Sequence, residues 1–263
     1  MNPIVIEWGG VELREYTAWL MGGLLLALGV IAWRAYRREP AAALPWLDVG
    51  LAGIVAGVIG ARALHVALEW DYFASRPNEI EKIWLGGLAW HGALIAGIPA
   101  GLIAAWLRRV PVRAWTDALA LAWPIGMIAA WKACRAAGCG CGYEVRTSAD
   151  WPGWLVEELP DVFGFYAPRL DVQAGGIAFG AALLALVAIL TWRGWLPGLR
   201  LCVLWTLTGV GLALLGFFRA DPAPILYHRR ADQLFDLILL FLSVVTGCAL
   251  WLLDRRAARQ SSV

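Results

Sequence analysis

The residue with the clearest chemical potential is His91, in Trp84-Leu-Gly-Gly-Leu-Ala-Trp-His-Gly-Ala-Leu-Ile-Ala-Gly97. It is the only ionisable side chain in the apolar run 85–107. An imidazole inside a membrane segment is costly to keep without a partner, so the position marks a candidate functional site. Imidazole ordinarily titrates near pH ~6.5, which suits taking or relaying a proton at neutral pH. The competing reading is a histidine satisfied by a neighbouring carbonyl. Gly86, Gly87, Gly92 and Gly97 leave room for a backbone turn, a close helix neighbour or a lipid headgroup.

Other polar groups also interrupt apolar runs. Arg62 and His65, three residues apart, share one helix face. The planar fork of Arg62 suits two phosphate oxygens of a lipid. Its alternative is an ion pair with Asp48, Asp71 or Asp117, or snorkelling to the interface. Arg219 closes Phe217-Phe-Arg219 at the end of another run, where it clamps an anion or ends the helix. His228-Arg229-Arg230 reads as a solvated loop. Cys134-x4-Cys139-x-Cys141 has no second pair to complete a zinc knuckle, so no metal is expected. The readings left open are a Cys134–Cys139 bridge, turned at Ala137-Gly138, or small packing residues. Cys202 and Cys248 lie inside apolar runs and read as packing residues.

These residues must be positioned by membrane helices. The 263-residue chain is 60% hydrophobic and 16% charged, with mean hydropathy +0.65. Soluble domains sit near ~45–50% apolar and ~25% charged. The fold class expected is therefore all-α and polytopic. A net charge of +2 gives no reason for a nucleic-acid partner. Apolar runs at 17–33, 49–68, 85–107, 114–131, 172–192, 201–218 and 237–253 predict seven transmembrane helices. A single domain over 1–263 is expected, with a membrane-surface arm at 1–16 and an outer-face segment at 132–171. Met1–Gly10 lacks the basic start of a signal peptide, so the first run is expected to stay. Eleven arginines (34, 37, 38, 108, 109, 113, 193, 200, 255, 256, 259) follow the odd-numbered runs. The opposite segment 67–84 holds two cations and four acids. This asymmetry places the N-terminus outside and the C-terminus in the cytoplasm. His91, Cys134–Cys141 and Arg219 then lie near the outer face, and a cavity open to the outer leaflet is expected to hold His91 with Arg62 or Arg219.

Taken together, these residues make the chain resemble the prolipoprotein diacylglyceryl transferase family. The likeness covers nearly the whole chain. Leu13-Arg-Glu-Tyr16 is similar to the family's surface arm, and Asp48 with Gly60-Ala-Arg62 to its second-span motif. The His91 stretch is similar to G-G-x-x-x-H-G-G-x-I-G. Pro124-Ile-Gly-Met with Cys134-Arg-Ala-Ala-Gly-Cys-Gly-Cys-Gly142 is similar to G-R-x-G-[NC]-x-x-x-G-[EC]-x-x-G. Pro168 to Gln173 is similar to P-T-Q-L-Y-E, and Gly209-Val-Gly211 with Arg219 to the arginine-rich sixth span. Trp131 and Leu212 stand where the family carries arginines, Thr208 where it carries tyrosine, and Gln173 where it carries glutamate. Lys132, Arg135, Arg229 and Arg230 are the nearby substitutes.

The resemblance implies a bacterial inner-membrane enzyme that moves a diacylglyceryl group from phosphatidylglycerol to the cysteine thiol of a lipoprotein precursor. His91 would be the catalytic residue. Tyr16, Arg62, Gly87, Gly92, Cys134, Arg135, Cys139 and Arg219 would form the substrate site. The implied partners are phosphatidylglycerol, the prolipoprotein signal peptide and membrane lipids. No cofactor is implied, and a monomer is expected. The alternative is a diverged, non-catalytic relative that binds a lipid or lipoprotein. A weaker one is thiol chemistry at the three outer cysteines.

Overall fold

The computed structural model describes residues 4–8, 11–83 and 86–260. Trp84 and Leu85, which open the His91 stretch, and Pro3, Gly9 and Gly10 of the lead-in lie outside the described residues. The lead-in is an antiparallel hairpin of β1 (Ile4–Trp8) and β2 (Val11–Arg14). There follow α1 (Glu15–Arg38), α2 (Ala43–Leu68), the short α3 (Trp70–Ala74), α4 (Trp90–Leu107) and α5 (Val112–Ala137). A second hairpin, β3 (Val156–Pro160) with β4 (Tyr166–Leu170), precedes α6 (Val172–Trp192) and α7 (Arg200–Gly216). A two-residue ladder, β5 (Ile225–Leu226) with β6 (Arg229–Arg230), leads into α8 (Ala231–Gln260).

The protein is an all-α polytopic membrane protein with small hairpins at its loops. Among the described residues, a helix of 17 residues or more overlaps each of the seven apolar runs. Among the described residues, five are long and apolar enough to cross a membrane: α1, α2 with the turn before it, α4, α6 and α8. α7 is apolar but has only 17 residues. α5 has 26 residues but carries Arg113, Asp117, Lys132 and Arg135. It also runs to Ala137, further than the apolar pattern indicates, and Gly138 ends it at φ +74°.

Lipid tails give apolar helices little reason to associate, so small residues decide where the helices meet. Gly53, Gly57 and Gly60 of α2 face Gly97, Ala93 and Gly92 of α4 in antiparallel order; a Cβ on Gly97 would lie 2.7 Å from the Gly53 carbonyl oxygen. α1 packs along α5, α5 along α6, and α7 along α8. One core patch gathers Ile31, Trp46, Val49 and Trp115 from α1, α2 and α5. A second gathers Met127, Trp131, Leu183, Val187 and Leu204 from α5, α6 and α7. The end of the bundle away from His91 is tied by ion pairs. Asp48 takes Arg108, Asp254 takes Arg113 at 2.6 Å, and the buried Asp117 takes Arg200 at 3.0 Å and the Gly198 amide at 2.8 Å.

Candidate active site

The site starts with the loop that delivers α4. Gly86 and Gly87 adopt φ of +94° and +74°, which side-chain-bearing residues rarely tolerate. Arg62 holds this loop from α2. Its Nε donates to the Ile80 carbonyl (2.8 Å), Nη1 to Gly86 and Gly87 (2.8 and 3.0 Å), and Nη2 to Glu79 (2.6 Å). The Ala89 amide then donates to the Ala61 carbonyl at 3.1 Å. A Cβ on Gly87 would stand 2.7 Å from Arg62 Nη1, so only glycine lets the loop lie on the guanidinium. The buried Arg62 therefore pairs with backbone rather than with Asp48 or Asp117, which take Arg108 and Arg200 instead.

His91 occupies the first turn of α4 and is buried. Its Nε2 lies 2.9 Å from Oδ1 of the equally buried Asp236, on α8. An ionised Asp236 fixes the proton on Nε2, which leaves the Nδ1 lone pair as the proton acceptor. Trp90 and Phe235 lie against the imidazole, with centroids 3.8 and 5.1 Å away. Behind Trp90 stand Trp123 and Trp205, and Trp123 Nε1 donates to Thr208 Oγ1 at 3.2 Å. The ring is thus covered by aromatics rather than facing open space.

One turn before Asp236 on α8 lies Asp232, part of a ring of opposed charges. Arg219 donates to Asp221 through Nε (2.9 Å) and Nη2 (2.6 Å), and its Nη1 lies 2.9 Å from Asp232. Arg230 closes the ring on Asp232 (3.1 Å) and on the Asp221 carbonyl (2.8 Å). Burial works against the Arg219 charge, and its Asp221 hydrogen bonds outweigh that, so it stays protonated. Arg230, expected in a solvated loop, is instead part of this network. Backbone pairing of Gly142 with Arg219, and the Ala220 amide on the Cys141 carbonyl (2.8 Å), join the ring to the end of α5.

At that end, Cys134 and Cys139 form a disulfide with Cα atoms 4.7 Å apart, turned through Gly138 as the spacing allows. The neighbouring Cys141 is a free, buried thiol. Arg135 ties α5 to Asp171 (2.5 Å) and to Glu157. Asp171 also caps α6 by accepting the Ala174 amide at 2.8 Å. Gln173 donates to the Cys139 carbonyl at 2.9 Å. Trp131 packs on Gly140 and Gly176, and Leu212 packs in the α5–α6–α7 core.

The expected residues therefore fall into three groups. His91 and Arg219 meet through α8. Arg62, Gly87 and Gly92 build the loop and the helix crossing that place His91. Cys134, Arg135 and Cys139 order the end of α5. Tyr16 lies in the first turn of α1, half-buried. Sequence reading missed Asp236, Asp232 and Asp221. The signal available was Asp232-x3-Asp236, two carboxylates one turn apart where an apolar run begins.

The profile of the prolipoprotein diacylglyceryl transferase family matches residues 3–252. The chain belongs to this family. Among curated relatives, the phosphatidylglycerol–prolipoprotein diacylglyceryl transferase of Lactobacillus delbrueckii subsp. bulgaricus is 37% identical over 111 residues, 42% of this chain and 40% of that one. Those of Bacillus velezensis and Synechococcus elongatus are 35% and 34% identical over 113 residues, each again 42% of this chain and 40% and 38% of theirs. The chain thus spans about two-fifths of the length of the curated relatives it matches. Family membership and the apolar helices together describe a multi-pass protein of the bacterial inner membrane.

Proposed function

We propose that this chain transfers a diacylglyceryl group from phosphatidylglycerol to the thiol of a lipoprotein-precursor cysteine. The buried His91–Asp236 pair carries this reading. The substrate thiol gives its proton to His91 Nδ1, and the thiolate is the nucleophile. Sulfur attacks the glyceryl carbon bonded to the phosphate oxygen. The C–S bond forms as the C–O bond breaks, and glycerol phosphate leaves with the bonding pair. Arg219 meets the leaving phosphate after exchanging one carboxylate partner for it, and Arg135 orders the end of α5 through Asp171 and Glu157. Arg62, Gly87 and Gly92 act by positioning His91, and Tyr16 borders the entry. Substrates reach the ring when Trp90 or Phe235 swings aside.

The second reading is a relative that binds lipid or lipoprotein without catalysis. It is favoured by Trp131 and Leu212 at the family's arginine positions and by the carboxylates that already hold Arg219. Losing a preorganised donor to a developing charge costs ~10²–10³ in rate. Mass spectrometry of a lipobox peptide incubated with the purified protein and phosphatidylglycerol separates the two. A diacylglyceryl adduct that disappears in His91→Gln supports the enzyme, and peptide retention with no adduct supports the binder.

The rest of the reading is a single domain of seven spans, with the N-terminal hairpin on the membrane surface and the C-terminus cytoplasmic. It works as a monomer, without cofactor, metal or nucleic acid, on phosphatidylglycerol and a prolipoprotein signal peptide. The arginines that follow alternate spans support the orientation.

A further inference from the structure

The end of the bundle away from His91 holds a cavity of about 340 Å³ that the transfer reaction does not use. Arg34, Arg37 and Arg38, from the last two turns of α1, line it with Trp46, Asp117 and Arg200. Such a volume falls in the ~300–1,000 Å³ range of ligand sites. Arg200 is neutralised by Asp117. Arg34, Arg37 and Arg38 have no carboxylate partner among the described residues. Three guanidiniums therefore face one space. The C-terminus of α1 offsets roughly half a charge, so more than two positive charges remain. One phosphodiester leaves most of that charge uncompensated, and two nearly balance it.

The rest of the lining is apolar or already paired. Trp46 and Ala114 give the cavity its apolar side. Asp117 forms part of the lining, where Arg200 and the Gly198 amide already hold it. Basic pockets between membrane helices are a recurrent way to bind anionic headgroups.

We infer that this cavity binds an anionic phospholipid whose headgroup carries two phosphodiesters, from the leaflet opposite His91. The arginines take the phosphates. The inference does not depend on transferase activity.

Native mass spectrometry of the full chain in detergent tests it, with cardiolipin, phosphatidylglycerol and phosphatidylethanolamine added in turn. Cardiolipin is expected to be retained about tenfold more tightly than either other lipid, the gain of one further charged hydrogen-bonded contact. Arg34→Gln with Arg37→Gln is expected to remove that advantage. Arg255→Gln with Arg256→Gln takes the same charge from the end of α8 and is expected to leave it intact. Equal loss of cardiolipin and phosphatidylglycerol retention in Arg34→Gln/Arg37→Gln would overturn the two-phosphate assignment. Retention undiminished in Arg34→Gln/Arg37→Gln would overturn the site. Full displacement of cardiolipin by inorganic pyrophosphate would reassign the cavity to a soluble anion.

Discussion

His91 announces itself in the sequence because it interrupts 23 residues that are otherwise uncharged. Its partner does not, because Asp236 lies 145 residues away, beside the boundary of the last apolar run. If His91 is the base, His91→Gln lowers diacylglyceryl transfer by ~10²–10⁴. Asp236→Asn keeps the shape but lets the ring choose the wrong tautomer, so a fall of about tenfold or more follows. The double variant should be no slower than His91→Gln alone, since the two groups act as a unit. Additive losses in steady-state assays would separate them. Cys141 offers a pH readout. Burial first, and then the Asp221 charge, push its thiol above the ordinary value, so it is protonated at neutral pH. Alkylation of folded protein should label Cys141 only well into the alkaline range, and Asp221→Asn should move that onset downward. Without reductant, Cys134 and Cys139 should stay unlabelled, and reduction should expose both.

At the level of elements, apolar run length locates the long helices, because hydrocarbon thickness sets that length. The hairpin β3–β4 is another matter. Its turn is built by Asp161, whose Oδ1 accepts the Phe163 and Phe165 amides at 2.9 and 3.0 Å. Desolvation works to raise the Asp161 carboxyl, and those amides together with Arg169 bring it below its usual value. Nothing in the polar, aromatic-rich sequence of 151–171 distinguishes such a hairpin from loop. The role of Arg62 was hidden for a related reason. Its partners are backbone carbonyls, which every residue carries, so no residue type betrays them. Arg62→Lys keeps the charge but loses the fork that reaches four carbonyls. It should speed proteolysis within 76–89 and weaken transfer without changing the helical content seen by circular dichroism. Gly92→Leu should do more harm. Its side chain would enter the Gly60 backbone of α2, and overpacking of this kind costs ~1–3 kcal/mol, read as a lower unfolding temperature in detergent.

Across the whole molecule, the two ends of the bundle are held by different physics. The His91 end is closed by covalent and buried links: the disulfide, the His91–Asp236 pair and the charge ring. A cysteine scan with a membrane-impermeant maleimide tests which side this end faces. Tyr227→Cys, on the fully exposed turn beside the ring, should react in intact cells, whereas Arg38→Cys should react only after permeabilisation. The opposite end keeps the buried Arg200–Asp117 pair but also relies on the Arg108–Asp48 and Arg113–Asp254 pairs, whose side chains are about half exposed. Exposed pairs of this kind fade with ionic strength, since at 1 M salt the Debye length shrinks to about 3 Å. The sealed His91–Asp236 pair lies beyond the reach of mobile ions. Concentrated salt should therefore loosen the bundle from one end only. The chain between α4 and α5 should become open to protease while the disulfide and the buried His91–Asp236 pair keep the far end closed.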